Sequence, residues 1–326
     1  MSHWDVHRPP RAEGKTFLVT GGNAGIGYFV AEQLAGTGAT VLLGSRNAAK
    51  AGAALTSIRS RVPDARLGHL KLDLADLGSI KSAVDTLGVD RLDAVVCNAG
   101  VLLEEPPRRE TAEGHELMFA TNHLGHFVLV HHLLPLMAAG GRVVTTGSFI
   151  GKSAELDLDD LQSERDYRPK RTYARSKQAQ MLFAFELDRR LRAAGSEVLS
   201  VVDHPGGALD SLTPPRPVHP EQSGRKFPAG LLLQGKEAGA WPAVRAVLDP
   251  AVRGGEMFGP RVFGLRGEPR LEPVRGRLAD TELAERLWTA STALTGAGDQ
   301  VMNPVPTTAR TRGCRRAGPG GSAPPC

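Results

Sequence analysis

Apolar residues along the chain fall into two alternating spacings. Short apolar runs at Thr16 to Val19, Ala39 to Gly44, Gly68 to Leu72, Leu92 to Cys97, Gly141 to Gly147 and Val198 to Val202 read as strands, with a last one at Gly255 to Gly264. Between them apolar positions recur at helical spacing, as at Phe29, Val30 and Leu34, or at Ala51, Ala54, Leu55 and Ile58 within Ala48 to Arg61. Further helices are predicted over Gly78 to Leu87, Glu113 to Ala138, Thr172 to Ala194, Lys236 to Leu248 and Asp280 to Thr295. Strands alternating with helices imply right-handed crossovers. The expected fold is α/β: one doubly wound Rossmann domain over residues 15–296, with a central parallel sheet and a ligand crevice at the carboxyl ends of its strands. Residues 1–14 form a polar lead-in. Gly207 to Gly235 carries five prolines and reads as a mobile lid over the crevice. From Ala297 onward Gly, Pro, Ser and Arg dominate with almost no apolar content, which predicts a disordered tail over 297–326.

Several polar residues fall just after strands: Gly21, Arg46, Asp73, Asn98 and Ser148. The predicted topology therefore puts all of them on one edge of the sheet. The first such turn reads Thr20-Gly-Gly-Asn-Ala-Gly-Ile-Gly27 and opens a helix. Glycines at 21, 25 and 27 permit a sharp turn and close approach of a pyrophosphate, which the helix N-terminus attracts. Their spacing, G-x-x-x-G-x-G, differs from the commoner G-x-G-x-x-G.

Composition narrows the function. The formal net charge is +5, but Arg310, Arg312, Arg315 and Arg316 against Asp299 put +3 of it after Gly296. The remainder shows no basic stripe with interleaved aromatics, so nucleic acid is not an expected partner. No apolar run is long enough to span a bilayer, the best stretch being broken by His131, His132 and Pro135. A polar N-terminus without an apolar h-region argues against secretion, and three cysteines at 97, 314 and 326 make no disulfide framework. A reducing cytoplasm is the expected location. His123, His126, His131 and His132 lack carboxylate or thiol partners at ligand spacing, so no metal site is expected. Ser148 is outside a G-x-S-x-G elbow, which disfavours a hydrolase.

Tyr173 and Lys177 stand four apart on a predicted helix and so share a face. A phenol near pKa 10 is a poor acid or base at neutral pH, and a neighbouring ammonium lowers it by stabilising phenolate. Tyr173 then exchanges a proton with an alcohol or carbonyl oxygen. With T-G-G-N-A-G-I-G at 20–27, N-A-G at 98–100, N-H-L-G-H-F at 122–127, T-G-S at 146–148 and Y-A-R-S-K at 173–177, the chain resembles the short-chain dehydrogenase/reductase family. The motifs occur in the family's order, over roughly Lys15 to Gly264. Y-A-R-S-K-Q-A-Q, N-H-L-G-H-F and His204-Pro205-Gly206 most resemble its retinol-dehydrogenase-like branch, and abundant Ala, Gly and Arg fit a bacterial member.

That resemblance implies Asn122, Ser148, Tyr173 and Lys177 as the catalytic residues of a soluble oxidoreductase. Tyr173 is the expected general acid/base, and Ser148 stabilises the substrate oxygen. Lys177 would hold the nicotinamide ribose, and Asn122 a water-linked proton route to that lysine. The implied cofactor contacts are Gly21, Asn23, Gly25, Ile26, Gly27, Ser45, Arg46, Asn47, Asp73, Leu74, Asn98, Ala99, Gly100, Tyr173, Lys177, Pro205 and Gly206. NADP(H) is expected over NAD(H), because Ser45 and Arg46 stand where an acid would select NAD. One position departs from the family: Asp210 occupies the usual threonine site five residues beyond Pro205, with Ser211 or Thr213 as substitutes. The expected reaction interconverts a carbonyl and an alcohol on an apolar small molecule, motivated by Phe227 to Leu233 in the lid. A homodimer and a homotetramer both remain open. So do two other functions, a non-catalytic dinucleotide-binding sensor or interaction protein, and an epimerase or dehydratase on the same fold.

Overall fold

The computed structural model describes residues 4–219 and 232–297. Its first half follows the predicted alternation: β1 (Thr16–Thr20), α1 (Gly25–Gly36), β2 (Thr40–Ser45), α2 (Ala48–Arg61), β3 (Arg66–Lys71), α3 (Leu77–Asp85) and β4 (Leu92–Cys97). All six residues of β4 are buried, as expected for a parallel strand covered on both faces. After α4 (Leu117–Phe119), a π segment at Ala120–Leu124 and α5 (Gly125–Leu133) come β5 (Met137–Thr146), α6 (Pro169–Ala193) and β6 (Leu199–Asp203). The later elements are β7 (Ala208–Leu209), β8 (Gln234–Gly235), α7 (Lys236–Gly239), α8 (Trp241–Leu248), β9 (Met257–Val262), β10 (Arg266–Glu272) and α9 (Thr281–Thr295).

Eight strands form one sheet in the order β10-β9-β6-β5-β4-β1-β2-β3. The chain reverses its winding between β1 and β4, and that reversal opens the crevice at their carboxyl ends. One face packs α1, α2 and α8 around Phe29, Leu34, Val41 and Val244. The other packs α3, α5 and α6 around Ile80, Leu92, Phe127 and Leu187, with α9 outside them through Trp288. Among the described residues no helix is long and apolar enough to cross a membrane.

Several expectations need correction. The sheet is mostly but not wholly parallel: β10 runs antiparallel to β9. Its sequence, Arg-Gly-Glu-Pro-Arg-Leu-Glu, shows no apolar alternation because it is an edge strand, where charge and proline are tolerated. The predicted helix over 113–138 is shorter and broken. It begins at Leu117, where the Glu116 carboxylate accepts from the Met118 and Phe119 N–H groups at 3.0 and 2.6 Å. It ends in a 3-10 turn, Leu134–Leu136, with Pro135 inside it, and β5 starts at Met137. The helix over 236–248 is divided into α7 and α8, with Pro242 near the start of the second. The base of the predicted lid is closed by β7 pairing with β8. The rest of that segment, residues 220–231 with Phe227, and the tail from residue 298 lie outside the described residues.

Candidate active site

The carboxyl ends of β1, β2, β4 and β5 open into a crevice of about 830 Å3. Of the predicted cofactor residues, Gly21, Asn23, Gly25, Ile26, Ser45, Arg46, Asn47, Asp73, Leu74, Asn98, Ala99, Gly100, Tyr173, Lys177 and Pro205 line it. Gly27 and Gly206 are not on its wall; each acts behind it. A Cβ on Gly27 would sit 2.4 Å from Asn98 Nδ2 and 2.6 Å from the Gly21 carbonyl, so a glycine lets α1 close against the turn. Gly206 has φ of +68°, a turn conformation that side chains disfavour. The N-cap of α1, Ala24, offers no side-chain acceptor, and the first turn holds no acid. Its leading N–H groups therefore remain available to an anion. The donor set fits a dinucleotide: a helix N-terminus over a glycine turn, with cations at both ends of the crevice.

Those cations are informative. Arg46 and Lys50 lie at the β2 end, the latter one turn into α2, where Asn47 caps the helix by accepting from the Lys50 N–H at 2.9 Å. Lys177 and Lys236 lie toward β5 and β6. Among the described lining residues Asp73 is the one acid. Motif reading missed Lys50 and Lys236; the signal for Lys50 was its place one helical turn after Arg46. Asp210, the departure from the family pattern, does not line the crevice, and its carboxylate is paired with the Lys236 ammonium. The Thr213 hydroxyl accepts from the Lys236 N–H at 2.9 Å and donates to the Leu209 carbonyl at 2.7 Å. Neither Thr213 nor Ser211 reaches the crevice, so neither fills the threonine's place.

The reacting end is built by β5 and α6. Tyr173 and Lys177 project from one face of α6, and Ser148 follows β5 with a hydrogen bond to the Tyr173 hydroxyl. Burial raises the Tyr173 phenol and the Ser148 bond opposes that rise. Lys177 is buried, and its Nζ donates to the Thr146 carbonyl and to Gln180 Oε1, both at 2.8 Å. Burial pulls its ammonium down to about 8, against the pull of Asp203 and Cys97. Asn122 sits in the π segment, fully buried, its Oδ1 accepting from the Val101 N–H at 2.7 Å and its Nδ2 donating to Ser176 Oγ at 2.9 Å. Its backbone carbonyl accepts from His126 Nδ1 at 3.0 Å, and His126 Nε2 then accepts from Thr20 Oγ1 at 2.9 Å. The Thr20 hydroxyl in turn accepts from the Asn98 and Ala99 N–H groups at 3.0 and 2.9 Å. A polar chain thus ties α6 to the glycine turn through the sheet's centre.

The remaining residues of interest are structural in their contacts. His123 is buried with Nε2 against Ser291 Oγ at 2.7 Å, and burial drives His123 to about 3 and His126 to about 4. Cys97 is buried, its thiol pushed up to about 12. Trp288 lies in the core with the Arg190 guanidinium 4.4 Å from its ring centroid.

Known proteins resemble this chain in sequence and fold. The short chain dehydrogenase family profile matches residues 15–158. A mouse polyprenol dehydrogenase is 37% identical over 298 residues, 89% of this chain and 86% of its own. Mouse retinol dehydrogenase 14 is 34% identical over 305 residues, 88% of each chain. A crystal structure of an uncharacterized protein from Mycobacterium paratuberculosis superposes with a TM-score of 0.73 at 33% identity, covering 90% of this chain and 98% of that one. With such identity over nearly the whole of both chains, this protein belongs to the short-chain dehydrogenase/reductase family, oxidoreductases that act on alcohol and carbonyl groups with a nicotinamide cofactor.

Proposed function

We propose that the protein is an NADP(H)-dependent oxidoreductase that interconverts a secondary or primary alcohol and its carbonyl on an apolar small molecule. The observation that carries this reading is the meeting of Tyr173 and Lys177 on the same crevice that the glycine turn and Arg46 enter from the other side, with Ser148 hydrogen-bonded to the Tyr173 hydroxyl. Bound there, the nicotinamide supplies hydride to the carbonyl carbon or accepts it from the carbinol carbon. Tyr173 gives the carbonyl oxygen its proton in reduction and takes the hydroxyl proton in oxidation. Ser148 donates a hydrogen bond to that oxygen as negative charge grows on it. Lys177 stabilises the phenolate that Tyr173 becomes. Arg46 and Lys50, neither of them ion-paired among the described residues, suit a 2′-phosphate.

The apolar preference rests on the rim. Leu102, Phe149, Ile150, Leu209 and Leu232 are all between 36% and 52% exposed, and all sit on segments following β4, β5 and β6 or at the base of the 207–235 segment. The similarity to proteins named for polyprenol and retinol, both long apolar alcohols, points the same way. The test is NADPH oxidation followed by absorbance over a panel of apolar aldehydes and ketones, with NADH and Tyr173→Phe beside it. Turnover should fall in the variant by a factor on the order of 10²–10⁴. A variant as active as the parent would refute the acid/base assignment.

A further inference from the structure

Asp203 belongs to no motif. It closes β6 two residues before Pro205, and its side chain has no exposed surface. Its Oδ1 accepts from Thr146 Oγ1 at 2.9 Å, and its backbone carbonyl accepts from the Gly147 N–H at 2.7 Å. Its Oδ2 is buried without a hydrogen-bond partner. Thr146 stands opposite Asp203 in the β5–β6 register, and the Thr146 carbonyl accepts from Lys177 Nζ at 2.8 Å. One threonine therefore touches both the carboxyl and the catalytic ammonium.

A carboxylate buried this way, with one oxygen unpaired, takes up a proton unless a positive charge holds it ionised. The elements packed around it offer few. On β4, Cys97 keeps its thiol protonated. On β9, the register partner is Phe258. On α8, Arg245 is bonded to Asp249 and to the Pro269 carbonyl. Next along β6, His204 faces Glu272, which also takes Lys152. On α6, Tyr173 and Gln180 are neutral, which leaves Lys177, the cation among these that is not committed to another carboxylate. The interaction works in both directions: burial raises Asp203 and Lys177 draws it down, while burial lowers Lys177 and Asp203 draws it up.

We propose that Asp203 is the buried counter-charge of Lys177, a positioning residue that acts through that ammonium and sets the alkaline limit of the reaction. The proposal rests on the role given to Lys177 above. Asp203 touches neither substrate nor cofactor. By holding the lysine protonated it preserves the positive charge that Tyr173 needs to become phenolate.

The coupling is reciprocal and can be read without turnover. Infrared difference spectra of the full-length protein, parent minus Asp203→Asn, isolate the C=O band of the protonated Asp203 carboxyl. Its midpoint against pH should move up by at least about one unit in Lys177→Met, where the opposing charge is gone. Reciprocally, the alkaline limb of kcat/KM should move down by at least about one unit in Asp203→Asn. The amide keeps the size of the side chain and an acceptor for Thr146. If Asp203→Asn fails to fold, 13C-aspartate labelling of the parent and Lys177→Met reads the same midpoint. A carboxyl midpoint indifferent to Lys177→Met overturns the proposal. So does an Asp203→Asn enzyme that loses activity equally at every pH, which is the mark of a structural brace. A fully active Tyr173→Phe with the infrared shift intact would instead sink the acid/base reading and leave the Asp203–Lys177 coupling standing.

Discussion

At the scale of single residues, the crevice is a set of charges placed by strand ends. Arg46 follows Ser45 at the end of β2, and Ser45 is buried with its hydroxyl and carbonyl near His69 Nε2, at 3.3 and 3.0 Å. The neighbouring histidine from β3 fixes the turn that presents Arg46. An acid in place of that arginine would offer two acceptors to ribose hydroxyls and would repel a 2′-phosphate. Arg46→Asp should therefore raise the Kd of NADPH at least about tenfold while NADH binding holds or improves, a loss on the order of 1.4 kcal/mol. Cofactor fluorescence titrations check it, and an unchanged NADPH affinity would place the phosphate elsewhere. Asp210 shows the opposite lesson. An acid beside a phosphate site is unfavourable by itself, yet this one is neutralised by Lys236, which turns its own cationic chain into the crevice wall.

At the scale of elements, the edge hairpin stabilises the end of the site it does not line. β9 and β10 bring Glu272 under the His204-Pro205-Gly206 turn, where its Oε2 meets His204 Nε2 at 3.2 Å and Lys152 Nζ at 2.5 Å. Lys152 lies in the 3-10 turn, Phe149–Ser153, that immediately follows Ser148. One carboxylate thus links the segment after Ser148, the His204-Pro205-Gly206 turn and the last strand. Burial raises the Glu272 carboxyl, but the bonds and charges of His204 and Lys152 win and bring it to about 2. A carboxyl lowered in the folded state stabilises it above the unfolded value near 4.5, and that contribution disappears as pH falls from there toward 2. Glu272→Gln should cost about 1–3 kcal/mol at pH 7 by chemical denaturation. The gap to the parent should close on acidification through that window, and a gap independent of pH would mean that the charge plays no part.

At the scale of the whole molecule, stability is set against acid by histidines that the fold keeps neutral. His123, in the π segment, and His126, in α5, are both fully buried; burial lowers both, helped at His123 by His126 and at His126 by Lys177 against the bond to the Asn122 carbonyl. The unfolded chain protonates both near 6.5 and the folded one does not, so the unfolded state binds more protons below that pH. Stability is whole above about 6.5 and is lost as pH falls, by up to about 1.4 kcal/mol per unit for each histidine. His123→Leu removes one of the two. Its partner Ser291 keeps a bond to the Leu287 carbonyl at 2.8 Å, so no buried hydroxyl is orphaned. The melting temperature of this variant should fall less steeply than the parent's between pH 6.5 and 4.5. Equal slopes would show that His123 does not carry the acid sensitivity.

Much of this was legible in the linear sequence because it depends on local chemistry. Period and run length placed the strands β1 to β6 and the helices between them. The glycine turn marked one wall of the crevice, and the four-residue spacing of Tyr173 and Lys177 guaranteed a common face. What sequence missed lies where a residue's environment comes from other segments. β10 has no apolar pattern because it is an edge strand that pairs with β9 by backbone bonds. Helix α5 stops early because β5 captures Met137 to Gly140 before the helical run is exhausted. Asp203 and Glu272 look like ordinary surface acids in the chain. Tertiary structure buries both, and only there do Lys177, His204 and Lys152 become their neighbours. Local spacing determined which residues could share a face or a turn, whereas burial and long-range charge, which no linear pattern records, decided how those residues are tuned.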